Sequence, residues 1–133
     1  MNNARLLIVE DEAIVAADLQ KQLSKLGYKV EGRAKSGEEA VRLARQFSPD
    51  LVLMDVRLMG PMDGLEAARR IYEETRIPIV YMTAYANLIM NDPHQMQPPH
   101  LCVAKPFSLS HLHQVIEIAL EQNAPPGTRS HLN

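Results

Sequence analysis

Short, fully apolar runs alternate along this chain with segments whose apolar residues recur at helical spacing. Leu6-Leu7-Ile8-Val9 is the first run, and it stops abruptly at Glu10-Asp11-Glu12. From there apolar residues return at Val15, Leu19, Leu23 and Leu26, with Gly27 as a C-terminal stop, which predicts a helix. Lys29 to Ala34 predicts a second, more polar strand. Ser36-Gly37-Glu38-Glu39 matches a capping box, in which the Ser36 oxygen and the Glu39 carboxylate each satisfy the other's orphan amide. The helix it opens places Ala40, Leu43, Ala44 and Phe47 on one face and ends before Pro49. Leu51-Val52-Leu53-Met54 is another apolar run, ending at Asp55. After the loop Met59-Gly60-Pro61-Met62-Asp63-Gly64, a helix turns Leu65, Ala68 and Ile71 inward. Ile77 to Met82 predicts a strand ending at Thr83, with Pro78 tolerable near its start. Leu101 to Ala104 predicts a short strand ending at Lys105-Pro106. Ser108 caps a last helix whose core face is Leu109, Leu112, Val115, Ile116, Ala119 and Leu120, with Phe107 and Leu112 placed as a hydrophobic staple.

Strands alternating with amphipathic helices imply βαβ units and a mostly parallel sheet. Apolar runs without alternation fit strands covered by helices on both faces. Asn87 to His100 departs from the pattern, because Pro93, Pro98 and Pro99 each disfavour a helix interior by about 3 kcal/mol. Any helix there is short, shifted or frayed. Asn123 to Asn133, with Pro125-Pro126-Gly127, reads as a linker or a disordered tail.

Composition narrows the class. The chain has 133 residues, 46% hydrophobic and 23% charged, which suits one domain with its own core and excludes disorder throughout. Lys and Arg total 14 against 16 Asp and Glu, for a net charge of −2, so no basic face argues for nucleic acid. Four Tyr, two Phe and no Trp argue against a base-stacking surface. No apolar run approaches the roughly 20 residues that span a bilayer. Met1 to Arg5 leads into the first apolar run without the pattern of a secretory leader. Cys102 is the single cysteine and cannot form an internal disulfide. The expectation is a soluble cytoplasmic domain.

The informative feature is what ends the apolar runs: Glu10-Asp11, Asp55, Thr83 and Lys105. In an open α/β sheet the carboxyl ends of parallel strands share one edge, where ligands bind. Three carboxylates, a hydroxyl and an ammonium would therefore converge in one cleft. Carboxylates crowded together repel unless protonated or bridged, and a hard divalent cation such as Mg²⁺ resolves this with oxygen ligands. Asp55 would then be both metal ligand and nucleophile, since a carboxylate can accept a phosphoryl group as an acyl phosphate. Mg²⁺, the Lys105 ammonium, the Thr83 hydroxyl and nearby amides would compensate the added oxygens. Each piece also has a structural explanation. An acidic pair after a strand favours the positive end of the next helix, Asp55 and Thr83 can act as caps, and a lone lysine is usually solvated. Their joint placement at successive strand ends favours the chemical reading.

Leu6 to Glu12, Leu53-Met54-Asp55-Val56-Arg57-Leu58, Met62-Asp63-Gly64, Met82-Thr83-Ala84 and Lys105-Pro106-Phe107 together resemble the receiver domain of two-component response regulators, in that family's order and spacing. The resemblance covers residues 4 to 122. It implies a flavodoxin-like, doubly wound five-stranded parallel sheet of order 2-1-3-4-5 with helices on both faces. It implies that Asp55 accepts phosphate from a sensor histidine kinase or phosphotransfer protein. Asp11 would hold Mg²⁺ directly, Glu10 through water, and Arg57 through its main-chain carbonyl. Thr83 would be the switch hydroxyl, Lys105 the phosphate lysine, and the Lys105–Pro106 bond cis. Arg57 and Tyr85 fall where the family controls the water that removes the phosphate.

This sequence also departs from the family. Cys102 stands where an aromatic residue commonly rotates inward on activation. The proline-rich stretch from Asn87 to His100 replaces a regular fourth helix, on the face that usually carries output and through which a homodimer would form. The loop from Met59 to Met62 is a residue longer than the common pattern. The other readings are a pseudo-receiver that binds partners without phosphorylation, an aspartyl-phosphate phosphatase, and a flavin carrier. The phosphatase is disfavoured by Arg57 where a second Asp is wanted, and the flavin carrier by the lack of a phosphate-cradling loop after the first strand. A stand-alone receiver and the receiver piece of a longer protein both fit the tail. His111 and His113, two apart on a helix, make a poor metal pair. His94, His100 and His131 read as solvent-facing, Met54, Met82 and Cys102 as core, and Arg69-Arg70 as a solvated helix face.

Overall fold

The computed structural model describes residues 4–58, 60–84 and 101–122. Five strands, β1 (Arg5–Val9), β2 (Lys29–Ala34), β3 (Leu51–Asp55), β4 (Ile79–Thr83) and β5 (Leu101–Ala104), form one sheet of order β2-β1-β3-β4-β5. All neighbouring pairs are parallel. Helices α1 (Ala13–Lys25), α2 (Gly37–Phe47), α3 (Gly64–Thr75) and α4 (Leu109–Gln122) complete a flavodoxin-like α/β fold. The proline-rich stretch 87–100, Tyr85 and the tail 123–133 lie outside the described residues, as do His94, His100 and His131.

The apolar runs have no polar alternation because both sheet faces are covered. Leu6, Ile8, Leu51, Leu53, Val80 and Met82 pack on one side with α1 and α4 residues such as Leu19, Leu23, Leu112 and Ile116. Leu7, Val9, Val52, Met54, Ile79 and Tyr81 pack on the other with Leu43, Ala44, Ala67, Ala68 and Ile71 of α2 and α3. Successive side chains of a strand point to opposite faces, so one continuous run supplies both layers. Met54 and Met82 are core, as expected.

Several boundaries differ from the expected ones for local reasons. Val15 is 41% exposed and Ile14 86% exposed, because the buried stripe of α1 runs through Ala16, Leu19 and Leu23. Val15 is at the edge of that stripe. β4 starts at Ile79, two residues later than Ile77: Pro78 has no N–H for the ladder and contributes only its carbonyl, which accepts from Val52 N–H at 3.0 Å. The capping box is displaced by one residue. Ser36 Oγ accepts from Glu39 N–H at 3.1 Å, but the Glu39 carboxylate accepts from Lys35 N–H at 2.7 Å instead of from Ser36. Ser36 is extended (φ −141°, ψ 166°), which leaves the preceding amide within reach. α2 ends at Ser48 in the left-handed region (φ 46°), just before Pro49. Ser108 Oγ accepts from His111 N–H at 3.0 Å and caps α4 as expected. Leu65, Phe47, Leu109 and Leu120, expected on the core-facing sides of their helices, pack against the core as half-buried flanks.

Candidate functional site

Parallel strands put their carboxyl ends on one edge, and the predicted chemical residues meet there. Glu10 follows β1 and is 2% exposed, Asp55 ends β3 at 6%, and Thr83 ends β4 at 3%. Glu10 is carried one step past the strand by its amide, which donates to the Ala34 carbonyl at 3.0 Å. Lys105 follows β5, and its amide donates to the Thr83 carbonyl at 2.8 Å, tying the ends of β4 and β5 together. The Lys105–Pro106 peptide is cis, as expected.

The side chains form a compact charged group. Lys105 Nζ lies 3.4 Å from Glu10 Oε1 and 3.5 Å from Asp55 Oδ2. The other Asp55 oxygen, Oδ1, accepts from Arg57 N–H at 3.0 Å, so the chain beyond β3 folds back to hold the carboxylate. Glu10 Oε2 accepts from Glu12 N–H at 3.3 Å. Glu10, half-buried Asp11 and Asp55 each offer a carboxylate oxygen, all within 4.8 Å of one another. Burial first, and then the neighbouring charge of Asp55, push the Glu10 carboxyl up to about 7. The Glu12 amide and Lys105 oppose that rise without cancelling it. A cavity of about 190 Å³ opens beside this group, lined by Glu10, Lys105, Val15, Leu19, Phe107 and Leu109.

The donor set fits a hard divalent cation. Its ligands are oxygens, they converge within a few ångströms, and two of the carboxylates are buried beside a single ammonium. Carboxylates so placed are stabilised when a cation bridges them.

The close backbone packing behind Asp55 is not legible in the order of residues. A Cβ placed on Gly64 would overlap the Asp55 carbonyl oxygen, and one on Gly37 would come within 2.8 Å of the Met62 carbonyl oxygen. Met62-Asp63-Gly64 was visible as a motif, but a steric reason for its glycine exists only once helix and strand are assembled. Asp63 caps α3, its side chain accepting from Glu66 N–H at 2.9 Å. Cys102 is half-buried on β5 beside Tyr81, less enclosed than expected, because β5 is an edge strand. Burial nonetheless pushes its thiol up to about 11. His111 is exposed, while His113 packs edge-on against Tyr28 at 5.7 Å and joins no metal group among the described residues.

Comparison with known proteins agrees with this geometry. The chain matches the response regulator receiver domain family over residues 6–117. It is 40% identical over 118 residues to the transcriptional regulatory protein PdtaR of Mycobacterium tuberculosis, covering 89% of this chain and 57% of that protein. It is 33% identical to the phyllosphere-induced regulator PhyR of Methylorubrum extorquens, covering 86% of this chain and 43% of that one. The chain thus spans about half the length of these curated relatives. Among solved structures, the receiver domain of Erythrobacter litoralis PhyR superposes with a TM-score of 0.81 at 29% identity, covering 94% of this chain and 96% of that one. The receiver domain of the Pseudomonas aeruginosa sensor histidine kinase PA1611 superposes at 0.76 with 31% identity, covering 89% and 98%. That structure holds a magnesium ion in its active-site cleft. The chain belongs to the response regulator receiver family, the receiver class of two-component signalling, whose domains are signalling switches. No described helix is long and apolar enough to cross a membrane.

Proposed function

We propose that this chain is a phosphorylation switch in which Asp55 accepts a phosphoryl group from a phosphohistidine on a sensor histidine kinase or phosphotransfer protein. One observation carries the reading. The Asp55 carboxylate is buried at a strand end, with one oxygen held by the Arg57 amide and the other facing Lys105, beside Glu10 and Asp11. An Asp55 oxygen attacks phosphorus; the new O–P bond forms as the N–P bond breaks, and the imidazole nitrogen leaves with that electron pair. The product is an acyl phosphate, and water resets it by hydrolysis.

Asp11, Asp55, Glu10 and the Arg57 main-chain carbonyl are the groups that would hold Mg²⁺. When bound, the ion neutralises charge on the phosphoryl oxygens. Lys105 supplies a second positive contact, already aimed at the acceptor. The Thr83 hydroxyl, buried at the adjacent strand end, is the group drawn toward the phosphate. Because Lys105 N–H is bonded to the Thr83 carbonyl, a shift of Thr83 is passed directly to β5 and the start of α4. That face is the proposed output surface.

The test is incubation with Mg²⁺ and a small-molecule phosphodonor. The expected result is one alkali-labile phosphate per chain, absent in Asp55→Asn. Release of many equivalents would make the protein a phosphatase, and no uptake would make it a pseudo-receiver.

A further inference from the structure

The loop from β3 to α3 carries Arg57, and it is anchored at its far end by two glycines. At Gly64, the first residue of α3, an added Cβ would overlap the Asp55 carbonyl oxygen and lie 2.8 Å from Val56 Cα. Both neighbours are backbone and cannot swing aside as a side-chain tip can. Gly64 N–H also donates to the Val56 carbonyl at 3.0 Å. At Gly37, the first residue of α2, an added Cβ would lie 2.8 Å from both Cγ and the carbonyl oxygen of Met62. Both glycines and Met62 are buried. The start of α3 is therefore seated on the backbone of Asp55, and the loop just before it is seated on α2.

We infer that Gly64 and Gly37 are positioning residues for phosphoryl acceptance, an inference that rests on the receiver reading above. Lacking Cβ atoms, they let two helix starts close on the acceptor loop and hold Asp55 in place relative to Lys105, Glu10 and Asp11. A side chain at position 64 must push α3 away or tilt the end of β3. The Asp55 carboxylate moves with that backbone. Glu10, Asp11 and Lys105 follow other strands and do not. A misplacement near 1 Å is enough to slow a reaction by about 100-fold. A glycine with only a structural role would lower stability and leave the site of the folded molecules unchanged.

Gly64→Ala, Gly37→Ala and the core variant Ile71→Val, which is buried on α3 away from the loop, separate these roles. Three quantities are measured well below the unfolding temperature: Mg²⁺ affinity by calorimetry, phosphate uptake at saturating Mg²⁺, and the Arg57 amide chemical shift without cation or phosphate. Gly64→Ala is expected to weaken binding and slow uptake by about 10–100-fold and to shift the Arg57 amide. Gly37→Ala, whose contact is partly with a movable side chain, is expected to lose about 3–10-fold. It carries the test if Gly64→Ala does not fold. Ile71→Val should lower the melting temperature with none of these changes. Folded glycine variants with wild-type affinity, uptake and Arg57 shift overturn the inference alone. So does an Ile71→Val protein that loses binding in step with its stability. A wild-type protein that takes up neither Mg²⁺ nor phosphate overturns the receiver reading as well.

Discussion

The Lys105 ammonium sits 3.5 Å from the Asp55 carboxylate across 50 residues of chain and across an intervening strand. Neighbouring strands lie about 4.8 Å apart, so the lysine spans the end of β4, passing the buried Thr83. A long flexible cation just past the edge strand is thereby brought to a buried carboxylate in the middle of the sheet. The contact couples the charges of the two residues, and that coupling can be measured.

Lys105→Met should nearly abolish phosphate uptake from a small phosphodonor, since the positive contact opposite Asp55 disappears. The cation-free fold should lose roughly 1 kcal/mol, because Glu10 and Asp55 then face each other without their ammonium. Denaturant titration with and without Mg²⁺ measures this, and added Mg²⁺ should recover most of the loss.

Glu10 makes the cation-free protein sensitive to pH. Its carboxyl is raised from 4.5 to about 7, so folding favours the protonated form. The stability from this group is fully present below about pH 4.5 and is lost as the pH rises through about 7. The loss should be about 1–3 kcal/mol and absent in Glu10→Gln, which isolates it from other titrations. Mg²⁺ affinity should run the opposite way, strengthening as Glu10 ionises. Thermal melts from pH 5 to 8, with EDTA and with Mg²⁺, check both signs.

Asp55→Asn should accept no phosphate, yet the cation-free protein should be more stable than wild type near pH 8. The substitution removes a charge that helps raise the Glu10 carboxyl, so Glu10 ionises at lower pH. The Mg²⁺-dependent rise in melting temperature should shrink, because one ligand oxygen has lost its charge. Equal Mg²⁺ stabilisation of wild type and variant would count against Asp55 as a ligand.

Tyr28, 3% exposed, donates its hydroxyl to Glu117 Oε2 at 2.5 Å and links the start of β2 to α4. Burial and that acceptor hold the phenol well above its ordinary range. Tyr28→Phe should cost about 1–2 kcal/mol by denaturant titration, with phosphate uptake unchanged, since the pair is remote from Asp55.

Cys102 should be slow toward thiol reagents at pH 8. Burial raises its thiol to about 11, leaving little thiolate. Labelling should be about 100-fold faster in denaturant than in the native protein.

Much of this molecule was legible in its linear pattern. Four-residue apolar runs such as Leu6 to Val9 and Leu51 to Met54 could not alternate polar and apolar residues, so both sheet faces had to be covered. Glu10, Asp55, Thr83 and Lys105 stood out because each interrupts such a run, and parallel strands bring those interruptions to one edge. Boundaries were less legible where local groups competed: Pro78 without its N–H, Val15 at the margin of a stripe, Glu39 reaching Lys35 instead of Ser36.

What the sequence alone determined, then, was which residues could form strands and helices and which polar side chains would mark the strand ends, because side-chain periodicity and chain direction are local properties. The assembled fold, in contrast, set the rise of the Glu10 carboxyl, the reach of Lys105 over β4 to Asp55, and the close approach of Gly64 to the Asp55 backbone and of Gly37 to Met62. Each of those depends on how far a group lies from atoms on another element, and such distances are created by packing and are absent from the order of residues.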